Sequence, residues 1–233
     1  MDKETFLNII KGELIVSCQA LEDEPLHGPE IMAKMGLAAK IGGAVAIRAN
    51  SKEDIIAIRK ETGLPTIGIV KREYRDSDVY ITPTFKEVQE LIESGTDVIT
   101  LDATLRKRPQ GINFRELVSF IRKNSNCLIM GDVSTVEEGK KAVLDGCDLI
   151  STTMSGYTPY SRHLDGPDFE LIKELTSSIN IPVIAEGRIS TPEDAVKALL
   201  FGSHSVVVGT AITRPQEITK SFVKKIHHAR KIV

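Results

Sequence analysis

The chain has 233 residues, 41% of them apolar and 27% charged, with a net charge of −2. That balance suits a globular domain large enough to bury a full core, and it excludes a basic field for nucleic acid. No apolar run approaches the roughly 18 residues of a membrane span, and Met1-Asp-Lys-Glu-Thr-Phe6 is charged where a secretory signal is apolar, so a cytoplasmic protein without membrane contact is expected.

Short β-rich runs alternate with helix-sized segments along the chain. The runs are Leu14–Ser17, Ala44–Ile47, Thr66–Val70, Asp97–Leu101, Cys127–Met130, Leu149–Ser151, Val183–Ala185 and Ser205–Val208. They are continuously apolar rather than alternating, as parallel strands covered on both faces are. Between them, Thr84-Phe-Lys-Glu87 and Ser134-Thr-Val-Glu137 read as capping boxes, and Thr191-Pro192 places proline at a first helical position. Leu91 to Ile99, Ala142 to Ile150 and Ala198 to Val206 repeat one form, in which a helix ends at glycine, turns through polar residues and enters a strand. A last helix from Gln216 to Ile232 carries Ile218, Phe222, Val223 and Ile226, which are expected to cover the body of the protein. Cys18, Cys127 and Cys147 lie in or beside apolar runs without metal or disulfide spacing, and read as buried thiols.

Eight such βα units, with no linker between them, predict one α/β domain over 1–233, a (β/α)8 TIM barrel. A doubly wound open sheet is the alternative, weakened by the absence of G-x-G-x-x-G.

In a barrel, chemistry gathers where strands meet the loops that follow them. Those positions hold Ser17 and Gln19, Arg48, Lys71, Asp102 and Thr104, Asp132, Thr152 and Thr153, and Glu186 with Arg188. Gly187 and Gly209 end the last two strands, and Arg214 follows them. Glycines let backbone N–H groups approach a phosphate, and arginine adds charge-assisted hydrogen bonds. Cations and carboxylates thus converge on one mouth of a slightly acidic chain, which points to a small anionic substrate. Plainer readings remain at this stage. Lys71 could be a solvated loop lysine, Glu186 a partner of Arg188, Arg48 a surface arginine, Asp132 an extra helix cap and Arg214 an ordinary loop cation.

Gly12-Glu-Leu-Ile-Val-Ser-Cys-Gln-Ala20, Val45-Ala-Ile-Arg-Ala49, Ile67-Gly-Ile-Val-Lys-Arg72, Ile99-Thr-Leu-Asp-Ala-Thr104 and Val183-Ile-Ala-Glu-Gly-Arg-Ile189 resemble the N-acylglucosamine-6-phosphate 2-epimerase family, also called N-acetylmannosamine-6-phosphate 2-epimerase. The resemblance runs from about Leu14 to Arg214. It implies a TIM-barrel enzyme of bacterial sialic acid catabolism that converts N-acetylmannosamine 6-phosphate to N-acetylglucosamine 6-phosphate without a metal or nucleotide cofactor. By position it implies Lys71 and Glu186 as catalytic residues. Gln19, Arg48, Asp132 and Arg188 become substrate-binding residues, and Gly187, Gly209 and Arg214 the phosphate cradle. A homodimer is implied by the family alone. Rival readings are another phosphosugar isomerase, or a phosphosugar-binding barrel without catalysis. The first is disfavoured because no strand end carries histidine, the second because phosphate binding needs neither Lys71 nor Glu186.

Overall fold

Eight parallel strands close into a barrel in which each pairs with its sequence neighbours and the last returns to the first, so the open-sheet alternative falls. The computed structural model describes residues 1–230. Its strands are β1 (Leu14–Cys18), β2 (Ala46–Asn50), β3 (Thr66–Ile69), β4 (Val98–Asp102), β5 (Leu128–Asp132), β6 (Leu149–Ser151), β7 (Val183–Glu186) and β8 (Ser205–Val208). The helices are α1 (Lys3–Ile10), α2 (Pro29–Ile41), α3 (Lys52–Thr62), α4 (Phe85–Ser94), α5 (Phe114–Asn124), α6 (Val136–Leu144), α7 (Phe169–Ser178), α8 (Pro192–Leu200), α9 (Thr210–Thr213) and α10 (Pro215–Arg230).

Strands β1, β2, β4, β5 and β7 run further toward the mouth than their apolar runs indicate, while β6 and β8 end as expected and β3 stops one residue short. Arg48 and Asn50 belong to β2, and Asp102, Asp132 and Glu186 are the last residues of β4, β5 and β7. Arg48 is therefore not a residue after a strand. It sits within β2, in register with Ser17 on β1 and Ile67 on β3. Hydrophobicity marks where side chains leave apolar surroundings, whereas the ladder continues as long as backbone groups pair, and polar ends remain paired here.

Phe6 and Ile10 of α1 are fully buried against Ile15, Ile67, Val98, Met130 and Val207, so α1 plugs the end of the barrel opposite the mouth. A second, larger core fills the space between strands and outer helices. The helix ends follow their local chemistry. Thr84 and Glu87 form a reciprocal capping box, as do Thr191 and Asp194 with Pro192 in the first turn. The box before α6 is Thr135 with Glu138, one residue later than the sequence suggests. Ser134 is recruited as well, because its N–H and hydroxyl both donate to Glu138. The repeat glycines Gly95, Gly146 and Gly202 have φ of +72°, +105° and +95°.

The last helix departs from expectation. No residue of α10 is buried, and Phe222 is 66% exposed. Its apolar stripe does not cover the barrel, and Ile218 and Phe222 lie at the cavity instead. The expected end of this helix, at Ile232, lies outside the described residues. Among the described residues no helix is long and apolar enough to cross a membrane.

Candidate active site

A cavity of about 710 Å³ opens at the carboxyl ends of the strands. Gln19, Arg48, Lys71, Glu186, Arg188 and Arg214 all line it, together with Gly187 and Gly209. Eight of the nine expected site residues therefore meet in one place. Asp132 is the ninth, and it does not reach the cavity: its side chain is fully buried beneath Arg48. Asp102, also singled out at a strand end, stays off the wall as well. Its carboxylate accepts from Arg106 at 2.5 Å and from the Thr104 hydroxyl at 2.6 Å.

Arg48 organises the floor. Its guanidinium is 1% exposed and meets Asp132 in a fork, Nη2 to Oδ2 at 2.6 Å and Nη1 to Oδ1 at 3.1 Å. Nη1 also donates to Glu186 Oε2 at 2.7 Å. Thr153 Oγ1 bridges the two carboxylates, 3.0 Å from Asp132 Oδ1 and 3.0 Å from Glu186 Oε2. Burial opposes the guanidinium charge, but Asp132 and Glu186 outweigh it and hold Arg48 firmly protonated. Asp132 is thus the buried partner of Arg48; it lies off the cavity wall, and the cap of α6 is Thr135. Glu186 partners Arg48 rather than Arg188. Its own backbone N–H donates to Thr152 Oγ1 at 3.0 Å, which fixes the end of β7. Burial raises the Glu186 carboxyl above its ordinary value; Arg48 counteracts this and the neighbouring Asp132 adds to it.

Lys71 lies two residues beyond β3. Its N–H donates to Asn50 Oδ1 at 2.8 Å, and an antiparallel bridge pairs it with Ile81. Among the described residues its Nζ has no hydrogen-bond or ion-pair partner, and the side chain lines the cavity. Burial, reinforced by Arg48 and Arg214 and opposed by Glu186, brings its pKa down to about 8. At neutral pH roughly one amine in ten is then free of its proton, a useful population for a base.

The other end of the cavity is built on glycines. Gly187 has φ +113°, a conformation that disfavours any side chain, and it turns the chain sharply after Glu186. Gly209 needs space instead, since a Cβ there would stand 3.3 Å from Ser17 Cβ. It precedes α9, and its carbonyl accepts from the Ile212 and Thr213 N–H groups at 2.8 and 3.0 Å. Arg214 follows, but not as an isolated cation, because Nη2 donates to Glu24 Oε1, which also accepts from Gln216 at 3.0 Å. Although burial opposes it, the Leu21 N–H and Arg214 hold the Glu24 carboxyl below its usual range. Arg188 spends its guanidinium on carbonyls, Nε to Gly166 and Nη1 to Ser155, both at 2.9 Å, and lies 5.6 Å from the Tyr157 ring centroid. It clamps the loop between β6 and α7 while its flank lines the cavity. Gln19 Nε2 donates to Ser17 Oγ at 2.7 Å.

Sequence reasoning missed Glu24, Tyr80 and Tyr157, which line the cavity from loops after β1, β3 and β6. It noted Thr153 only as a strand-end residue. Glu24 lies in the charged run Glu22-Asp-Glu24, where nothing local marks one carboxylate as the partner of an arginine 190 residues away.

Residues 32–228 match the family described as "Putative N-acetylmannosamine-6-phosphate epimerase". The chain is 57% identical over 220 residues to a "Putative N-acetylmannosamine-6-phosphate 2-epimerase" of Clostridioides difficile, a match covering 94% of this chain and 98% of that protein. It is likewise 57% identical to one from Caldanaerobacter subterraneus, with 95% and 94% covered. A solved structure of the N-acetylmannosamine-6-phosphate 2-epimerase from Clostridium perfringens superposes with a TM-score of 0.92 at 56% identity, covering 94% of this chain and 95% of that one. With the family matched over most of the barrel, the chain belongs to the N-acetylmannosamine-6-phosphate 2-epimerases.

Proposed function

We propose that this epimerase interconverts N-acetylmannosamine 6-phosphate and N-acetylglucosamine 6-phosphate by moving the C2 proton of the ring-opened sugar, with Lys71 as the base. The observation that carries this reading is a lysine without a partner among the described residues, its pKa near 8, sharing with the Arg48–Glu186 pair a cavity of sugar-phosphate size. In the closed ring the C2 proton is not usefully acidic. Opening makes C1 an aldehyde, and C2–H then lies next to a carbonyl. The free amine of Lys71 takes that proton and the C–H electron pair forms the C1–C2 double bond. The carbonyl pair moves to O1, and return of a proton to the other face of C2 inverts it.

Glu186 suits the second face. It ends β7 while Lys71 follows β3, and in a closed ring of eight strands these stand four apart, on opposite walls. Its raised pKa favours a carboxyl that can give as well as accept a proton. Incubating the protein with N-acetylmannosamine 6-phosphate and following the product by NMR tests the reaction; an unchanged sugar would refute it.

Gly187, Gly209 and Arg214 suit the 6-phosphate. Binding energy at that remote group orients C2 against Lys71, so its loss should lower turnover as well as affinity. Arg214→Ala is expected to reduce kcat/KM about tenfold to a hundredfold, the range for one charge-assisted contact. It would also leave the Glu24 carboxylate without its cation beside the phosphate. A kcat/KM equal to that of the parent in steady-state assays would remove Arg214 from the cradle.

A homodimer accounts for the bare face of α10. Phe222, Val223 and Ile226 are exposed, and Ile218 and Phe222 also line the cavity rim, so a second copy seated there would both cover apolar surface and complete the mouth. Sedimentation at micromolar concentration should give a dimer that Phe222→Asp weakens; a monomeric parent would contradict it. Cytoplasmic amino-sugar catabolism is the setting in which such an epimerase fits.

A further inference from the structure

Tyr80 lines the catalytic cavity, and among the described residues its hydroxyl is uncommitted. It lies in the loop between β3 and α4, where the Lys71–Ile81 bridge is flanked by two hydrogen bonds. Arg72 N–H donates to the Tyr80 carbonyl at 2.9 Å, and Thr82 N–H to the Val70 carbonyl at 2.8 Å. The backbone that carries Tyr80 is therefore stapled to the backbone that carries Lys71. The ring packs on buried Ile69, Ile81 and Met154, and its outer side forms part of the cavity wall. Among the described residues nothing hydrogen-bonds to the phenol, although it lies within electrostatic reach of Arg48, Asp102 and Asp132.

Removing the C2 proton places negative charge on O1, and that charge needs a donor already in position. Most donors near the base are occupied, although the buried Nε of Arg48 has no partner among the described residues. Arg48 directs Nη1 and Nη2 to Asp132, Glu186 and Thr153, and the Lys71 amine is placed at C2, whose proton it takes. Arg188 donates to loop carbonyls, and Arg214 is paired with Glu24. We propose that the Tyr80 hydroxyl donates the hydrogen bond that stabilises O1 in the enolate, which makes it a further catalytic residue; this assignment rests on the C2 proton-transfer reading above. The phenol keeps its proton throughout: the C–H pair enters the C1–C2 bond, the carbonyl pair goes to O1, and Tyr80 only shares its hydrogen. Burial first, then the negative charge of Asp102, pushes the ionisation of Tyr80 upward, so it remains a donor in mildly alkaline solution.

Tyr80→Phe keeps the ring on its apolar bed and removes only the hydroxyl. Circular dichroism and the melting temperature should match those of the parent. The expected result is a kcat lower by about 10²–10³-fold, the loss typical of one oxyanion donor, with KM changed less than about threefold. Deuterium uptake at C2 in heavy water should slow in parallel with kcat. A parental kcat, or a raised KM with kcat intact, would overturn the assignment, since the hydroxyl would then be idle or serve ground-state binding. The parent, measured alongside, separates the two claims. If it shows neither C2 exchange nor a slowed rate with C2-deuterated substrate, the proton-transfer reading falls and Tyr80 falls with it. If the parent exchanges and Tyr80→Phe exchanges equally fast, only the role of Tyr80 falls.

Discussion

Lys71→Met is expected to abolish epimerisation while making the protein more stable at neutral pH. General bases contribute roughly 10²–10⁴-fold, and among the described residues no other lysine lines the cavity to replace it. The stability gain follows from the same burial that makes Lys71 a base. Its folded pKa of about 8 lies below the ordinary value of 10.5, so the folded state releases the proton more readily than the unfolded chain. Below about 8 both states hold it and the folded protein bears the full cost of a desolvated cation. Between about 8 and 10.5 the unfolded chain binds more protons, and stability rises with pH; above that the cost is gone. Methionine fills similar space without charge, so the variant should gain about 1–3 kcal/mol at pH 7, and the difference should shrink toward pH 10.5. Thermal melts across that range check both the size and the sign. Parental kcat/KM should rise as pH passes through about 8. A lower melting temperature for Lys71→Met at pH 7 would mean that a partner stabilises the lysine, contrary to its unpaired position.

Arg48→Met is expected to act in the opposite direction on stability. The substitution leaves Asp132, fully buried, beside Glu186, with only Thr153 near both. Removing one member of a buried ion pair costs about 3–5 kcal/mol because the other charge remains out of water. Glu186 relieves part of this by taking a proton, so its folded pKa in the variant moves further up. A carboxyl raised in the folded state binds protons that the unfolded chain has released, and the variant should lose stability as pH rises above the ordinary carboxylate range. Urea unfolding at pH 5 and pH 8 should therefore separate parent and variant more widely at the higher pH. Lysine is a poor replacement, since one ammonium cannot reproduce the fork to Asp132 while also reaching Glu186. Equal midpoints for parent and Arg48→Met at pH 8 would show that the pair contributes nothing to the fold.

The barrel was legible because each of its units carries local signals. Continuous apolar runs marked the strands, Thr84, Thr191 and Pro192 marked helix starts, and the repeat glycines marked helix ends. What stayed hidden depended on partners far away in sequence. Arg48 and Asp132 are 84 residues apart, and only closure of the sheet reveals that one is the buried counterion of the other. For that reason Asp132 read as a substrate contact or a cap although it reaches neither the cavity nor a helix terminus. Arg214 read as a free cation because Glu24 approaches it from the opposite end of the chain. The stripe on α10 looked like core because its spacing is that of a covered helix, and spacing alone does not say what covers it. Tyr80 gave no signal, since its place depends on a bridge within a charged loop.

The central claim is that Lys71 handles the C2 proton, and isotope exchange tests it most directly. The protein and Lys71→Met are each incubated with N-acetylmannosamine 6-phosphate in heavy water, and the sugar is followed by NMR. The account predicts deuterium at C2 of the product formed by the parent, with neither product nor exchange from Lys71→Met. Exchange at C2 by Lys71→Met at the parental rate would contradict it and place the base elsewhere in the cavity.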